Sequence, residues 1–371
     1  MQTASKKVIR GWAMYDWANS VYNLVITTTF FPIYYTIITK KQFGGDIVTF
    51  LGRKFVNTSL YDYAYALAYL IIALLYPVLT SVADSRGNKK SFMKFFCYLG
   101  SLGCATIFFF NGTNLWLGIL SLMVASMGFV GSVVFYNAFL PETKSIRKIS
   151  NSIVADSFSE MKKVFLEIRK LPVLKNYLRG FFFYSMGVQT VMLAATLFGS
   201  KLLQLADTKL IITIVLIQLV AIPGAIGVSR LSEKFGNLRV LTGLVIFWIL
   251  ICLAAYYTAY FKEQGGDPEY GFYVLAIAVG LIMGGIQSLS RSTYSKLMPE
   301  TRDTASYFSY YDFTEKLAIV FGMFCFGLIE EITGSMKNSV LSLIVFFVIG
   351  FLWLVRAQSS RMNSAVFGPR Q

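Results

Sequence analysis

Long uncharged apolar stretches alternate with short basic loops along the whole chain. A helix that crosses a bilayer needs about 20 mostly apolar residues. Uncharged stretches of that size run over Ala18–Ile38, Tyr63–Ala83, Gly180–Ser200, Leu210–Ser229, Val240–Phe261 and Tyr270–Ser290. Phe95–Pro141 is uncharged too and twice too long for one helix; the turn-forming run Asn111-Gly112-Thr113-Asn114 divides it in two. Asn338–Val355 is a shorter last span, and about 304–329 reads as a span although Asp312, Glu315 and Lys316 lie inside it. The pattern predicts ten spanning helices, hence an all-α polytopic membrane protein.

Composition agrees. Of 371 residues, 56% are hydrophobic and only 14% charged, against roughly 25% charged in soluble domains. Too few polar side chains remain to cover a water-facing surface. The chain has no histidine, which removes His-ligated zinc or haem and every His-based catalytic triad. No G-x-x-x-x-G-K-[ST] loop occurs, so there is no ATP-hydrolysing engine of that type. No enzyme, metal or cofactor is implied. The four cysteines (Cys97, Cys104, Cys252 and Cys325) all fall in spans without CxxC spacing and read as packed apolar side chains.

The net charge of +15 has a topological explanation. With ten spans both termini share a side, and 25 of the 34 Lys and Arg residues fall there, 8 opposite, and Lys316 within a span. The positive-inside bias makes both termini cytoplasmic, in a bacterial inner membrane. Attraction to anionic lipid accounts for the charge without any nucleic acid. The first apolar run is full length and no small-residue cleavage site follows it, so no removable signal is expected. Asn57-Thr58-Ser59 and Asn111-Gly112-Thr113 match a glycosylation pattern, but turn chemistry explains them better.

An internal repeat is the most informative feature. Tyr136-Asn-Ala-Phe-Leu-Pro-Glu-Thr143 returns as Tyr294-Ser-Lys-Leu-Met-Pro-Glu-Thr301. Asp84-Ser-Arg-Gly-Asn-Lys-Lys90 returns as Glu233-Lys-Phe-Gly-Asn-Leu-Arg239, and Arg10-Gly11 with Tyr15 returns as Arg179-Gly180 with Tyr184. Helices one to four therefore correspond to helices five to eight, with a first outward loop (about 39–60) that is some twenty residues longer than its counterpart. Two further spans follow the second Pro-Glu-Thr; none follows the first. The chain reads as four plus six, lacking two helices of its first half.

The expected organisation is a half-bundle over 1–143, a cytoplasmic linker over 144–178, a second half-bundle over 179–358 and a tail over 359–371. In the linker, Ser157-x-x-Glu160 reads as a capping box. Phe158, Met161, Val164, Phe165, Ile168 and Leu171 share one helical face, with Lys162, Lys163, Arg169 and Lys170 around the rest. This predicts a helix lying on the membrane surface, or alternatively a protein-partner target.

Parallel repeats with cytoplasmic ends are the plan of the major facilitator superfamily. The loop Thr80-Ser-Val-Ala-Asp84-Ser-Arg-Gly87-Asn-Lys-Lys90 resembles that superfamily's motif between its second and third helices, with Thr80 in place of the leading Gly and Ser85 in place of Arg. Four further segments resemble the vacuole-effluxer-like branch: Tyr15-Asp-Trp-Ala-Asn-Ser20, Gly187-Val-Gln-Thr-Val191, Gln218-Leu-Val-Ala-Ile-Pro-Gly224 and Gly284-Gly-Ile-Gln-Ser-Leu-Ser-Arg-Ser292. The resemblance covers nearly the whole chain except about 144–160. It implies a helical bundle normally of twelve helices, and a secondary transporter moving a small polar metabolite, with amino acids as the leading guess. The expected assembly state is a monomer in a lipid bilayer. A non-transporting receptor or assembly partner descended from a transporter is the alternative, kept open by the absent helix pair.

Ionisable groups inside a membrane are costly, so each is a functional candidate. Asp16 lies at the mouth of the first helix with Asn19 and Asn23 on the same face; it either binds substrate or proton or complements the helix dipole. Asp312 and Lys316 stand at i and i+4 and are expected to pair, leaving Glu315 for Arg291 or substrate. Without histidine, proton coupling must use carboxylates such as Asp16, Asp62, Asp312 or Glu315. Gln189 and Gln287 are expected to line a polar cavity, and Gln218 to bond between helices. Pro32, Pro77 and Pro223 interrupt their helices. Asp84, Arg86, Gly87, Lys89 and Lys90 in one loop, and Glu233, Gly236, Arg239 and Arg291 in the other half, are expected to form cytoplasmic gating latches.

Overall fold

The computed structural model describes residues 10–11, 14–15, 18–19, 21–85, 89–137, 153–299 and 304–367. Those residues form eleven α-helices and one β-hairpin, and the chain divides into two compact units, 1–163 and 164–371.

Unit 1 begins with a π-helical stretch, Asn23–Phe30, that runs into α1 (Phe31–Phe43) just before Pro32. Then come α2 (Asn57–Ser85), α3 (Lys89–Ile107) and α4 (Leu115–Asn137). The long first loop departs from the all-helical expectation. It folds as strands β1 (Ile47–Phe50) and β2 (Arg53–Val56), paired antiparallel from Ile47↔Val56 to Phe50↔Arg53. The two-residue turn places both Leu51 (φ 49°) and Gly52 (φ 77°) in the left-handed region that tight hairpins require.

Helix α5 (Ile153–Lys170) straddles the boundary between the units. It starts upstream of Ser157, so the Ser157/Glu160 pair is not its N-cap. Unit 2 continues with α6 (Pro172–Leu197), extended by a π-helical turn (Phe198–Leu202), α7 (Asp207–Phe235) and α8 (Asn237–Glu263). Helices α9 (Glu269–Leu297), α10 (Thr304–Thr333) and α11 (Met336–Phe367) complete it.

Among the described residues seven helices are long and apolar enough to cross a membrane: α2, α4, α6, α7, α8, α9 and α11. The other predicted spans fall short for visible reasons. The α-helical part of the first is only Phe31–Phe43, α3 opens on Lys89, Lys90 and Lys94, and α10 carries Asp312, Glu315, Lys316, Glu330 and Glu331. Helix α7 shows what the outside meets: Ile212, Val215, Leu219, Ile222 and Ile226 are all exposed, which only a lipid-like or helical neighbour tolerates.

The packing repeats as the sequence does. Helix α2 lies on α4, and α7 on α9; α3 also lies on α4, and α8 on α9. Between helices in a membrane, small residues permit close approach. A Cβ on Gly128 would run into the Gly100 backbone, and one on Gly224 into the Leu281 carbonyl. Among the described residues only unit 2 has the added pair: α10 packs on α6, and α11 on both α6 and α8.

The two glycosylation-like sites are turn chemistry. Asn57 is fully buried, accepting the Thr58 N–H at 2.8 Å and donating to Thr39 Oγ1 at 3.2 Å. Asn111 Oδ1 accepts both the N–H and the hydroxyl of Thr113.

Candidate functional site

The ionisable groups of unit 2 come together where α6, α9 and α10 meet. Arg291 on α9 approaches Asp312 on α10, Nη1 to Oδ1 3.6 Å, with its guanidinium 5.4 Å from the centre of the Phe308 ring. One turn along α10, Lys316 Nζ donates to Glu315 Oε2 at 3.1 Å, and Gln189 Nε2 on α6 donates to Glu315 Oε1 at 3.1 Å. The expected Asp312–Lys316 pairing is therefore replaced: the base from α9 takes Asp312, and Lys316 turns to its neighbour. Among the described residues two acids meet two bases here, a balanced set. The side chains of Glu315 and Lys316 remain 22% and 19% exposed.

A lattice of hydroxyls and rings holds the three helices beneath this set. Ser290 Oγ gives its proton to the Ile286 carbonyl at 2.5 Å, so Tyr184, 2.7 Å away, is the donor in the Tyr184–Ser290 bond. Tyr177 donates to the Ser290 carbonyl at 2.7 Å, and Tyr294 to the Tyr307 carbonyl at 2.7 Å. Tyr311 stacks on Phe181 at 4.3 Å and lies 4.9 Å from the Tyr294 ring. Buried hydroxyls bonded in this way fix helix register, because leaving one unmade costs about 1–3 kcal/mol. Sequence reasoning missed Tyr177 and Ser290; the repetition of Tyr15 at Tyr184 was the available hint.

The second half of α5 joins the same corner. Tyr307 donates to Glu167 Oε2 at 2.8 Å, and Val164 and Ile168 are buried. Of the predicted apolar face these two pack on protein, while Phe165 is 43% exposed beside the Tyr310 ring.

A second buried ion pair was not anticipated. Lys201, on the π-helical turn after α6, donates to Glu330 Oε1 at 2.9 Å, with side chains 14% and 2% exposed. It joins α6 to α10 some fifteen residues along α10 from Glu315, about 22 Å at 1.5 Å per residue. Lys201 borders a predicted span and Glu330 follows one, which is why hydropathy passed over them.

Other candidates lie elsewhere. Gln287 is exposed and its amide meets only the weak acceptor Met192 Sδ at 3.2 Å. Gln218 is exposed on α7 and makes no hydrogen bond among the described residues, against the expected interhelical bond. Asn19 is half-buried; Asp16, Arg86, Gly87 and the side chains of Asn23, Asp84 and Lys89 lie outside the described residues, and Lys90 is exposed. Glu233 and Arg239 are exposed and make no ion pair among the described residues. The corner they flank is tied instead by Asn237, which donates to Ser292 and accepts from Lys296, and by Gln358, which donates to Thr242 Oγ1 at 2.6 Å. Gly236 turns the chain there with φ +85°, where a side chain would be strained. A half-open pocket among α6 to α11, lined by Ala194, Phe198, Cys252, Phe272 and Phe326, is apolar and unsuited to a polar solute.

The site thus lies at a helix junction within a multi-pass helical bundle. Solved structures agree on the fold: a point mutant of the nucleoside transporter NupG matches with TM-score 0.55 and 13% identity, over 91% of this chain and 96% of that one. A bacterial homologue of the iron transporter ferroportin, in its inward-facing state, matches with TM-score 0.55 and 10% identity over 96% and 100%. The chain belongs to the family described as vacuole effluxer Atg22 like, whose model matches residues 4–148 and 142–365. An uncharacterized major-facilitator-type transporter of Bacillus subtilis, YxiO, is 28% identical over 92% of this chain and 93% of its own length. Autophagy-related protein 22 of Cryptococcus neoformans is 30% identical over 52% of this chain and 37% of its own length. YxiO is named as a transporter, and this chain is a transporter rather than an enzyme.

The matches are not continuous along the chain. The YxiO comparison runs over 416 positions, more than the 371 residues available, so at least 45 positions of the relative face a gap here. The family model breaks at 142–148, directly after the first Pro-Glu-Thr.

Proposed function

We propose that the protein moves a small zwitterionic metabolite, an amino acid in the first instance, by alternating access across a bacterial plasma membrane, coupled to protons. The observation that carries the substrate class is the balanced set Arg291–Asp312 and Lys316–Glu315–Gln189. An ammonium group can replace Lys316 at Glu315, while the released Lys316, or the partly exposed Arg291, receives the carboxylate. Each exchange conserves charge, so the desolvation cost of an unpaired ion inside the membrane is avoided. The fungal relatives named for autophagy lend the same direction to the reading. The distribution of Lys and Arg supports cytoplasmic termini. The shortened first half favours one competing reading, a non-transporting receptor that keeps the binding site.

Thermal unfolding of the purified chain with pooled amino acids tests the substrate class. A ligand at 100 times its Kd adds about 2.7 kcal/mol, so the parent should melt several degrees higher and Glu315→Gln should lose that gain. A parent indifferent to every pool would sink the assignment.

A further inference from the structure

We propose that unit 2 carries a binding site for the phosphate headgroup of an anionic phospholipid, with Arg179 and Arg356 as its ligands and Trp353 as the plate that orients them. The guanidinium carbon of Arg179, on α6, lies 4.6 Å from the centre of the Trp353 ring on α11, and that of Arg356 lies 5.3 Å from the same centre. One ring thus holds two positive charges from two helices, no farther apart than those two distances laid end to end. Stacking uses the face of a guanidinium and leaves its in-plane N–H donors free. Neither Arg179 nor Arg356 makes an ion pair or a side-chain hydrogen bond among the described residues.

The sequence places this cluster at a membrane boundary. Arg179 immediately precedes the apolar run Gly180–Ser200, and Arg356 immediately follows Asn338–Val355. Trp favours that depth, and so do cations that meet lipid phosphates. Neither α6 nor α11 carries an Asp or Glu, yet Lys175, Arg179, Arg356 and Arg361 gather where the start of α6 meets the end of α11. Lys175 and Arg179 stand at i and i+4, a like-charge spacing that is mildly unfavourable until an anion lies beside it. The two helices touch backbone to backbone: a Cβ on Gly350 would lie 2.9 Å from the Tyr184 nitrogen, and beyond that contact Asn176 donates to Ser360 Oγ at 3.1 Å. The helices that carry the two arginines are therefore fixed against each other.

A guanidinium can give two parallel N–H bonds to a phosphate, so the pair can share one phosphodiester or take the two phosphates of a diphosphatidyl lipid. The surface beside the arginines favours a lipid over a free phosphate. Leu341, Val345, Val348, Leu352 and Val355 on α11 are all exposed, and their spacing of four and three puts them on one helical face. Arg356 stands one turn beyond Leu352 along that line. An apolar strip that ends in paired cations matches an acyl chain that ends in an anionic head, whereas a free anion would leave the strip uncovered.

Native mass spectrometry of the full chain, with phosphatidylglycerol or phosphatidylcholine added to the micelles, tests the site. The parent should retain one phosphatidylglycerol in preference to phosphatidylcholine, and Arg179→Gln with Arg356→Gln should weaken that binding at least tenfold. Arg230→Gln with Lys234→Gln removes as much charge from exposed positions that share no ring, and should leave it unchanged. Arg356→Lys keeps the charge but not the planar fork; it should weaken binding severalfold and decides the matter if the double variant fails to fold. Equal retention of phosphatidylcholine would overturn the site, as would equal weakening by the two double variants, which would reduce it to net-charge attraction. Inorganic phosphate should not displace the lipid; displacement at millimolar phosphate would make this a soluble-anion site and overturn the lipid assignment. A lipid-free dimer that Arg179→Gln with Arg356→Gln dissociates would overturn it too, making this face a contact between two copies of the chain.

Discussion

Gly180 and Gly11 hold equivalent places in the two repeats, yet their surroundings differ. A Cβ on Gly180 would meet the Gly350 carbonyl and Leu354 of α11 at 3.2 Å; one on Gly11 would meet nothing within 4 Å. Arg179 stacks over the Trp353 ring at 4.6 Å, while its counterpart Arg10 is exposed. Carrying the repeat along α8 and α3, Ile251 is 5% exposed and Leu102 is 61%. The inner contacts match better: Tyr184 donates to Ser290, and the Tyr15 hydroxyl lies near Ser132, the position equivalent to Ser290. The difference is thus confined to the face that α10 and α11 cover in unit 2. Those two helices close the outer wall and bring Asp312, Glu315 and Glu330 to partners on α6, α9 and α10. Unit 1 has no such pair among its described residues.

This contrast can be broken at several strengths. The largest effect should come from Glu330→Gln, which leaves Lys201 buried without its anion; breaking a buried pair costs about 3–5 kcal/mol. Adding Lys201→Met should restore most of the loss in thermal unfolding, and an unchanged melting point for Glu330→Gln would show that the pair carries no weight. Next, Ile251→Ala opens a cavity under the added helices and should cost about 3 kcal/mol, while Leu102→Ala should stay within about 0.5 kcal/mol. Equal losses would mean that unit 1 is covered on that face as unit 2 is. Gly180→Leu, pressed against the Gly350 backbone, should cost about 2 kcal/mol, with Gly11→Leu indifferent. Of the changes in unit 2, Arg291→Gln should affect stability least, within about 1 kcal/mol because Arg291 is 47% exposed. Its consequence should appear as weakened amino-acid protection in the same melting assay; full protection would remove Arg291 from the site.

Much of this arrangement was legible in the sequence because apolar length and repeated motifs are direct physical signals. The helical bundle follows from where the charges stop. The hairpin at 47–56 was not legible, since its strands are short and carry Arg53 and Lys54 on an exposed edge. In the site, Glu315, Asp312, Lys316, Arg291 and Gln189 could be named from their presence in or beside apolar runs. Their pairing could not. Helical spacing favours Asp312 with Lys316, but tertiary packing brings Arg291 from α9 to Asp312, and that contact has no sequence signature. Lys201–Glu330 was hidden for the same reason, each residue lying at the margin of its span.

Counterflow in proteoliposomes with pooled amino acids, comparing the parent with Glu315→Gln, tests the central claim most directly, because it assumes no driving force. The account predicts that the parent accumulates labelled solute against preloaded unlabelled solute, and that Glu315→Gln does not while remaining folded. Accumulation undiminished in Glu315→Gln would contradict the site, and a folded parent that accumulates no amino acid would contradict the transport function proposed for it.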